Sequence, residues 1–177
     1  EDFQLAVKAS RYITHMKKLK DPEDAVQTFF QRIESLEKIS VILFQLPPKW
    51  KFNKERLHFF LQTLPDSYRY TFEFRDPSWW NDQTYEILSD HNAAFCQYEL
   101  SGTLTPVQVT ADFVYIRLHG PGDAYEGSYD QDTLQHWSTR ILNWTQKGYD
   151  VYCYFDNDQN GYAAKNALTL QSLLAFP

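Results

Sequence analysis

Cysteine is nearly absent from this chain: there are two, Cys96 and Cys153, far apart and in apolar surroundings. No C-x-x-C or Cys/His spacing occurs, which argues against a disulfide scaffold and against a zinc motif. Both thiols read as small, reduced, buried hydrophobes. No stretch approaches the ~18 consecutive apolar residues of a membrane span, and no leader-like segment is visible, so a cytoplasmic protein that does not enter membranes is expected. Basic charge is also short, with 17 Lys and Arg against 23 Asp and Glu and a formal net charge of −6. A sequence-independent nucleic-acid binder usually carries a basic stripe, so nucleic acid is not the expected partner; a local cationic pocket remains compatible with this balance. Glycine is sparse, with six residues, and no Walker or dinucleotide fingerprint appears. The five histidines, His15, His58, His91, His119 and His136, share no ligand spacing.

What is present is an ordinary globular composition with an aromatic excess. The 177 residues are 43% hydrophobic and 17% aromatic, enough for one domain with a sizeable core. A large aromatic core or an aromatic binding surface explains the excess. The chain opens abruptly: "FQLAVKAS" reads as a strand from residue 3, which suggests a start partway into a larger fold.

Strand, loop and helix signals then repeat. Strands are expected at 3–10, 40–48, 68–74, 93–100, 113–120 and 149–158. Helical spacing fills 23–38, the segment after Asn53, 82–91, 131–147 and 161–174. Asp21-Pro22 reads as cap and first turn of the first helix, and Asn53 as cap of the second. Strands alternating with helices predict an α/β fold with a parallel sheet.

Alternation within the strands is more informative, because successive side chains point to opposite faces. Phe72 and Phe74 oppose Thr71, Glu73 and Arg75. Val114, Ile116 and Leu118 oppose Tyr115, Arg117 and His119. Val151, Cys153 and Phe155 oppose Tyr152, Tyr154 and Asp156, while Ile42, Phe44 and Leu46 oppose Leu43 and Gln45. One face is apolar throughout, and the other turns polar toward the strand's C-terminal end. A doubly wound sheet would want both faces apolar. A barrel packs only its outer strand face on helices and ends its inner face at a catalytic mouth, so the pattern favours a barrel.

The strings "AVKASRYITH", "ILFQLPP", "FEFRDPSWW", "ADFVYIRLHGPG", "YEGSY", "DVYCYFDND" and "GYAAKNALTL", taken in order along the whole chain, closely resemble the YecE-like family, also catalogued as domain of unknown function seventy-two. The resemblance implies a TIM-like (β/α)8 barrel. It implies that residues 1–177 form a single domain, the C-terminal three-quarters of that barrel, with six parallel strands and their helices. Two N-terminal strands of the family pattern would then be missing, with any site residues they carry. Relatives often have asparagine where this chain has Asp156. No established reaction comes with the resemblance, so function must be argued from the site.

The inward set is Lys8, Ser10, Gln45, Glu73, Arg75, Arg117, His119 and Asp156, with Arg11 and His15 on the first loop. Glu73 and His119 are the candidate catalytic acid and base, since both fall at C-terminal strand ends. Lys8, Arg11, Gln45, Arg75, Arg117, Tyr125, Asp156 and Asn157 are the candidate substrate-binding residues. Arginine forks suit carboxylate or phosphate oxygens. Each residue also has a structural reading. Glu73 could pair with Arg117 or Lys8 inside a barrel, Arg75 with Asp76, and His119 with backbone beside Gly120. Tyrosines could anchor the loop "HGPGDAYEGSY" (119–129), whose glycines permit close backbone approach to a ligand. Asp156, Asn157 and Asp158 offer oxygen ligands for a divalent cation such as magnesium, but capping and turn formation explain them as well. No metal ligand set is assigned and no cofactor is predicted. Backbone N–H groups near Gly161 and Tyr162 suit a phosphate. Trp79 and Trp80 are either pocket wall or packing.

The leading expectation is a hydrolase-like enzyme acting on a small anionic or phosphate-containing substrate. Two alternatives are a metal-dependent nuclease or hydrolase of the TIM-barrel type and a non-catalytic anion-binding protein.

Overall fold

The computed structural model describes residues 3–174. The chain packs as two compact units, Glu1–Phe95 and Cys96–Pro177. The first carries β1 (Leu5–Lys8), α1 (Glu23–Ile33), β2 (Ile39–Leu46), α2 (Lys54–Gln62), β3 (Arg69–Phe74), α3 (Asp82–Asp90) and β4 (Ala94–Phe95). Its strands pair in the order β1-β2-β3-β4, all parallel. The second carries β5 (Gln97–Leu100), β6 (Thr103–Leu104), β7 (Phe113–Leu118), α4 (Gln131–Gln146), β8 (Asp150–Phe155) and α5 (Tyr162–Leu174), in the order β6-β5-β7-β8. No helix among the described residues is long and apolar enough to cross a membrane.

Local chemistry sets the helix starts. Asn53, Asn81 and Asp130 are extended, and each side chain accepts a backbone N–H three residues on, from Arg56, Thr84 and Thr133. The first helix departs from the expected cap. Val26 N–H donates to the Pro22 carbonyl at 2.8 Å, so Pro22 is the cap residue, and Asp21 precedes it in the left-handed region (φ 41). The helix also stops at Ile33 rather than 38, because Leu36 N–H turns back to the Ile33 carbonyl and Lys38 is left-handed (φ 63).

The parallel α/β reading holds, with two differences. The expected strand at 93–100 is divided at Cys96: Ala94–Phe95 pairs with β3, and Gln97–Leu100 pairs with β7. The polar stretch after it contains a short antiparallel strand, β6, joined to β5 by Ser101 and Gly102. Both turn residues have positive φ (49 and 71), the backbone of a tight hairpin whose twist matches its strands.

Side-chain alternation places the cores. In the first unit Ile42, Phe44, Leu46, Phe72 and Phe74 pack under Val26, Phe29, Leu57, Phe60 and Leu61 from the helices. Phe44 stacks on Phe72 at 5.2 Å, and Phe74 on Trp79 at 4.7 Å. Each such fully buried aromatic contributes roughly 2–3 kcal/mol. Trp79 is therefore packing: it is fully buried and donates Nε1–H to the Trp50 carbonyl at 2.7 Å. In the second unit Val114, Ile116 and Leu118 pack with Leu134, Trp137, Ile141 and Leu170. The opposite strand faces are left for the polar residues.

Candidate functional site

In the first unit the polar row runs across three neighbouring strands. Gln45 on β2 stands in register with Glu73 on β3, and Lys8 at the end of β1 donates Nζ–H to Gln45 Oε1. Glu73 and Arg75 lie two residues apart and so share a face. Arg75 Nε–H donates to Glu73 Oε1, and their side chains are 7% and 0% exposed. Glu73 thus has an ion-pair partner on its own strand, Arg75. Asp76 does not take Arg75. Its Oδ1 accepts the Ser78 N–H at 3.0 Å, and Lys51 lies 3.4 Å away, so Asp76 caps the turn at Pro77–Trp79. Burial alone would raise the Asp76 pKa; the Ser78 hydrogen bonds and the Lys51 ammonium outweigh it and bring it below the ordinary value. Arg11 and Lys8 stand near His15. Burial first, then Arg11, then Lys8, lowers the His15 pKa, while its Nδ1 meets Thr14 Oγ1 at 2.8 Å.

The second unit holds a tighter constellation. Arg117 and His119 project from the end of β7, and Asp156 follows β8, its N–H bonded to the Leu118 carbonyl at 2.8 Å. One carboxylate oxygen, Asp156 Oδ2, lies 2.8 Å from Arg117 Nη2 and 3.2 Å from His119 Nδ1. Both approaches to this buried oxygen are charge contacts rather than aligned hydrogen bonds. The His119 ring is fully covered and stands edge-on between Tyr98 (6.0 Å) and Tyr125 (5.4 Å). A carboxylate beside Nδ1 favours the tautomer with the proton on that nitrogen and the lone pair on Nε2.

The loops around this group are sewn together. Gly120 has φ 115, and a Cβ there would lie 2.3 Å from the Glu126 carbonyl oxygen, so only glycine fits. Gly120 N–H donates to the Tyr129 hydroxyl at 2.9 Å, and Tyr125 N–H to the His119 carbonyl at 2.7 Å. Asn157 Nδ2 donates to the Gly127 carbonyl and to Asn166 Oδ1, both at 2.8 Å. Asn166 also accepts from Tyr129 N–H and donates to its carbonyl, each at 3.2 Å. Asn157 is thus chiefly a clasp between loops; its buried Oδ1 accepts from no described residue. Burial raises the Tyr115 and Tyr129 hydroxyls well above the ordinary value. Burial likewise raises the Glu99 carboxyl.

Within the first unit Lys8 meets Gln45 and Glu73 meets Arg75; within the second, Arg117, Asp156, His119 and Tyr125 come together. Two contributors were missed. Tyr98 stands in register with Arg117; the alternation applied elsewhere would have found it at 93–100. Asn166 lies within α5 and carries no sequence signal, since its role comes from the chain folding back on Asn157. Among the described residues no group of three His, Cys, Asp or Glu side chains is arranged to hold a metal. A cavity of about 650 Å³ beside α1, bordered by Thr63, Pro65 and Tyr68, lies at the N-terminal end of β3 and contains none of these residues.

The family model described as "Protein of unknown function DUF72" matches residues 1–176. UPF0759 protein YunF of Bacillus subtilis is 25% identical over 212 residues, covering 98% of this chain and 74% of its own. The crystal structure of a DUF72 family protein from Thermotoga maritima is similar with a TM-score of 0.88 at 27% identity, over 98% of this chain and 74% of that one. One from Enterococcus faecalis has a TM-score of 0.80 at 18% identity, over 99% and 75% of the two chains, and shares the fold.

Proposed function

The chain belongs to the DUF72 family, the same family as the YecE-like proteins, and from that premise we propose that it is a hydrolase-like enzyme acting on a small anionic substrate, with His119 as its general base. The observation that carries this reading is the single oxygen, Asp156 Oδ2, set between His119 Nδ1 and Arg117 Nη2. We take the strands as part of a (β/α)8 barrel, a reading supported by their parallel register and by polar groups at their C-terminal ends.

In this mechanism His119 Nε2 takes a proton from water as the water oxygen attacks the ester centre. Asp156 stabilises the imidazolium that forms, and the proton passes on to the departing oxygen. The Arg117 guanidinium, beside Asp156 Oδ2, supplies the positive charge for the substrate anion. Asp156 is a positioning residue here, and the sequence-based assignment to substrate binding gives way to it. Glu73, already paired with Arg75, becomes the weaker catalytic candidate.

The test uses the full chain with 4-nitrophenyl phosphate, bis(4-nitrophenyl) phosphate and 4-nitrophenyl acetate. His119→Gln should lower kcat by about 10²–10⁴-fold, the usual worth of a general base. Asp156→Asn should lower kcat less than His119→Gln, because it loses the carboxylate charge beside Nδ1 while a side chain of the same size stays in place. Turnover equal to wild type in both variants overturns the assignment.

A further inference from the structure

We propose that the first unit carries a second binding pocket, for a small organic anion, between α1 and the turn that follows β1. The pocket is a cavity of about 430 Å³, within the size range of small-molecule sites. Asp24, Thr28 and Arg32 face it from α1, at the i, i+4, i+8 spacing that puts them on one stripe. Tyr12 and Lys17 face it from the other side, and Ile13 and Phe29, 2% and 9% exposed, form its apolar part.

The charges are arranged for a ligand rather than for each other. Asp24 and Arg32 are two helical turns apart, about 12 Å along the axis, too far to neutralise one another directly. Neither Arg32 nor Lys17 has a salt-bridge partner among the described residues. Two cations against one carboxylate leave the lining with an excess positive charge in an acidic protein. The hydroxyls of Thr28 and Tyr12 add donors, and the Tyr12 ring, with Lys17 Nζ 5.8 Å from its centre, adds an aromatic wall.

The turn itself is built to hold this shape. Tyr12–Met16 forms a single π-type turn closed by Lys17 N–H on the Tyr12 carbonyl at 2.9 Å. Lys18 and Leu19 follow in the left-handed region, φ 50 and 60, where non-glycine residues are uncommon. Leu19, only 1% exposed, holds them there, and its N–H donates to the Ile13 carbonyl at 3.0 Å. Single π-turns recur at functional sites. The ligand class that fits is a phosphate or carboxylate head on an aromatic or apolar body, the head at Arg32 and Lys17 and the body on Ile13 and Phe29. None of these residues belongs to the His119 group, so the two readings stand or fall separately.

The experiment is an NMR titration of the full chain with inorganic phosphate, phenyl phosphate and benzoate, which separate the phosphate and carboxylate sources. Amides of 12–17 and 24–32 should shift, and phenyl phosphate should bind more tightly than inorganic phosphate. Arg32→Gln should weaken binding about tenfold, as expected for losing one charged hydrogen bond, with the melting temperature unchanged. Ala25→Leu, which narrows the pocket without changing charge, should weaken phenyl phosphate, while His119→Gln should leave binding unaltered. Amides of 12–17 and 24–32 that stay still with all three probes overturn the pocket, as does wild-type binding by both Arg32→Gln and Ala25→Leu.

Discussion

Arg75 and Glu73 leave one strand on the same side and close an ion pair that is almost wholly buried. Removing one partner of such a pair strands the other charge, which typically costs about 3–5 kcal/mol. Glu73→Gln is therefore expected to lower the urea unfolding midpoint strongly. The double variant Glu73→Leu, Arg75→Met should cost less than Glu73→Gln alone, because it removes both charges of the pair together. A midpoint unchanged by Glu73→Gln would show that the pair is not what keeps Arg75 in place.

Gly120 tests the loop beside His119. Alanine there meets the Glu126 carbonyl oxygen at 2.3 Å and also carries φ 115. A loss of about 2 kcal/mol is expected, roughly 4–8 °C in melting temperature for a chain of this size. Gly102→Ala is the control: its φ is 71, but nothing lies within 4 Å of the added atom. It should cost about 1 kcal/mol or less, and thermal unfolding of the two variants side by side makes the comparison.

Glu99 gives a dependence on pH. Its carboxyl is raised by burial above the ordinary 4.5, so the unfolded chain releases this proton before the folded chain does. The contribution of Glu99 to stability is greatest below the unfolded value and is lost as pH rises through the folded value. Glu99→Gln should therefore gain stability relative to wild type at pH 7 and lose that advantage near pH 4. Melting temperatures at the two pH values check it; the same difference at both would refute it.

Asn166 joins two loops, and Asn166→Ala removes the acceptor used by Asn157 Nδ2 and by Tyr129 N–H. Two buried donors without their acceptor cost about 3 kcal/mol together. Amide exchange should quicken across 120–129 and 155–166, while the strands of the first unit keep their protection.

Much of the fold was legible because period-two alternation is a local signal: Phe72 and Phe74 could be set against Glu73 and Arg75 without knowing any neighbour. The Asn53 cap was legible for the same reason. The division of the 93–100 segment at Cys96 was not, since composition does not change there and only pairing partners do. The Asp21-Pro22 cap was misread because both residue types suit either position, and the backbone decides between them. At the site, strand ends nominated Arg117, His119 and Asp156. Which of them share an oxygen depends on the β7–β8 register, and Asn166 acts only through a chain reversal that no short window contains.

Parallel register has a kinetic consequence. Val41 pairs with Arg69 and Leu46 with Phe74, and the whole of α2 lies between them. A ribosome must deliver that helix and the next strand before β2 finds its partner on this side. Until then Ile42, Phe44 and Leu46 stand on an unclosed strand edge, the point in synthesis at which the nascent chain is most open to wrong pairing.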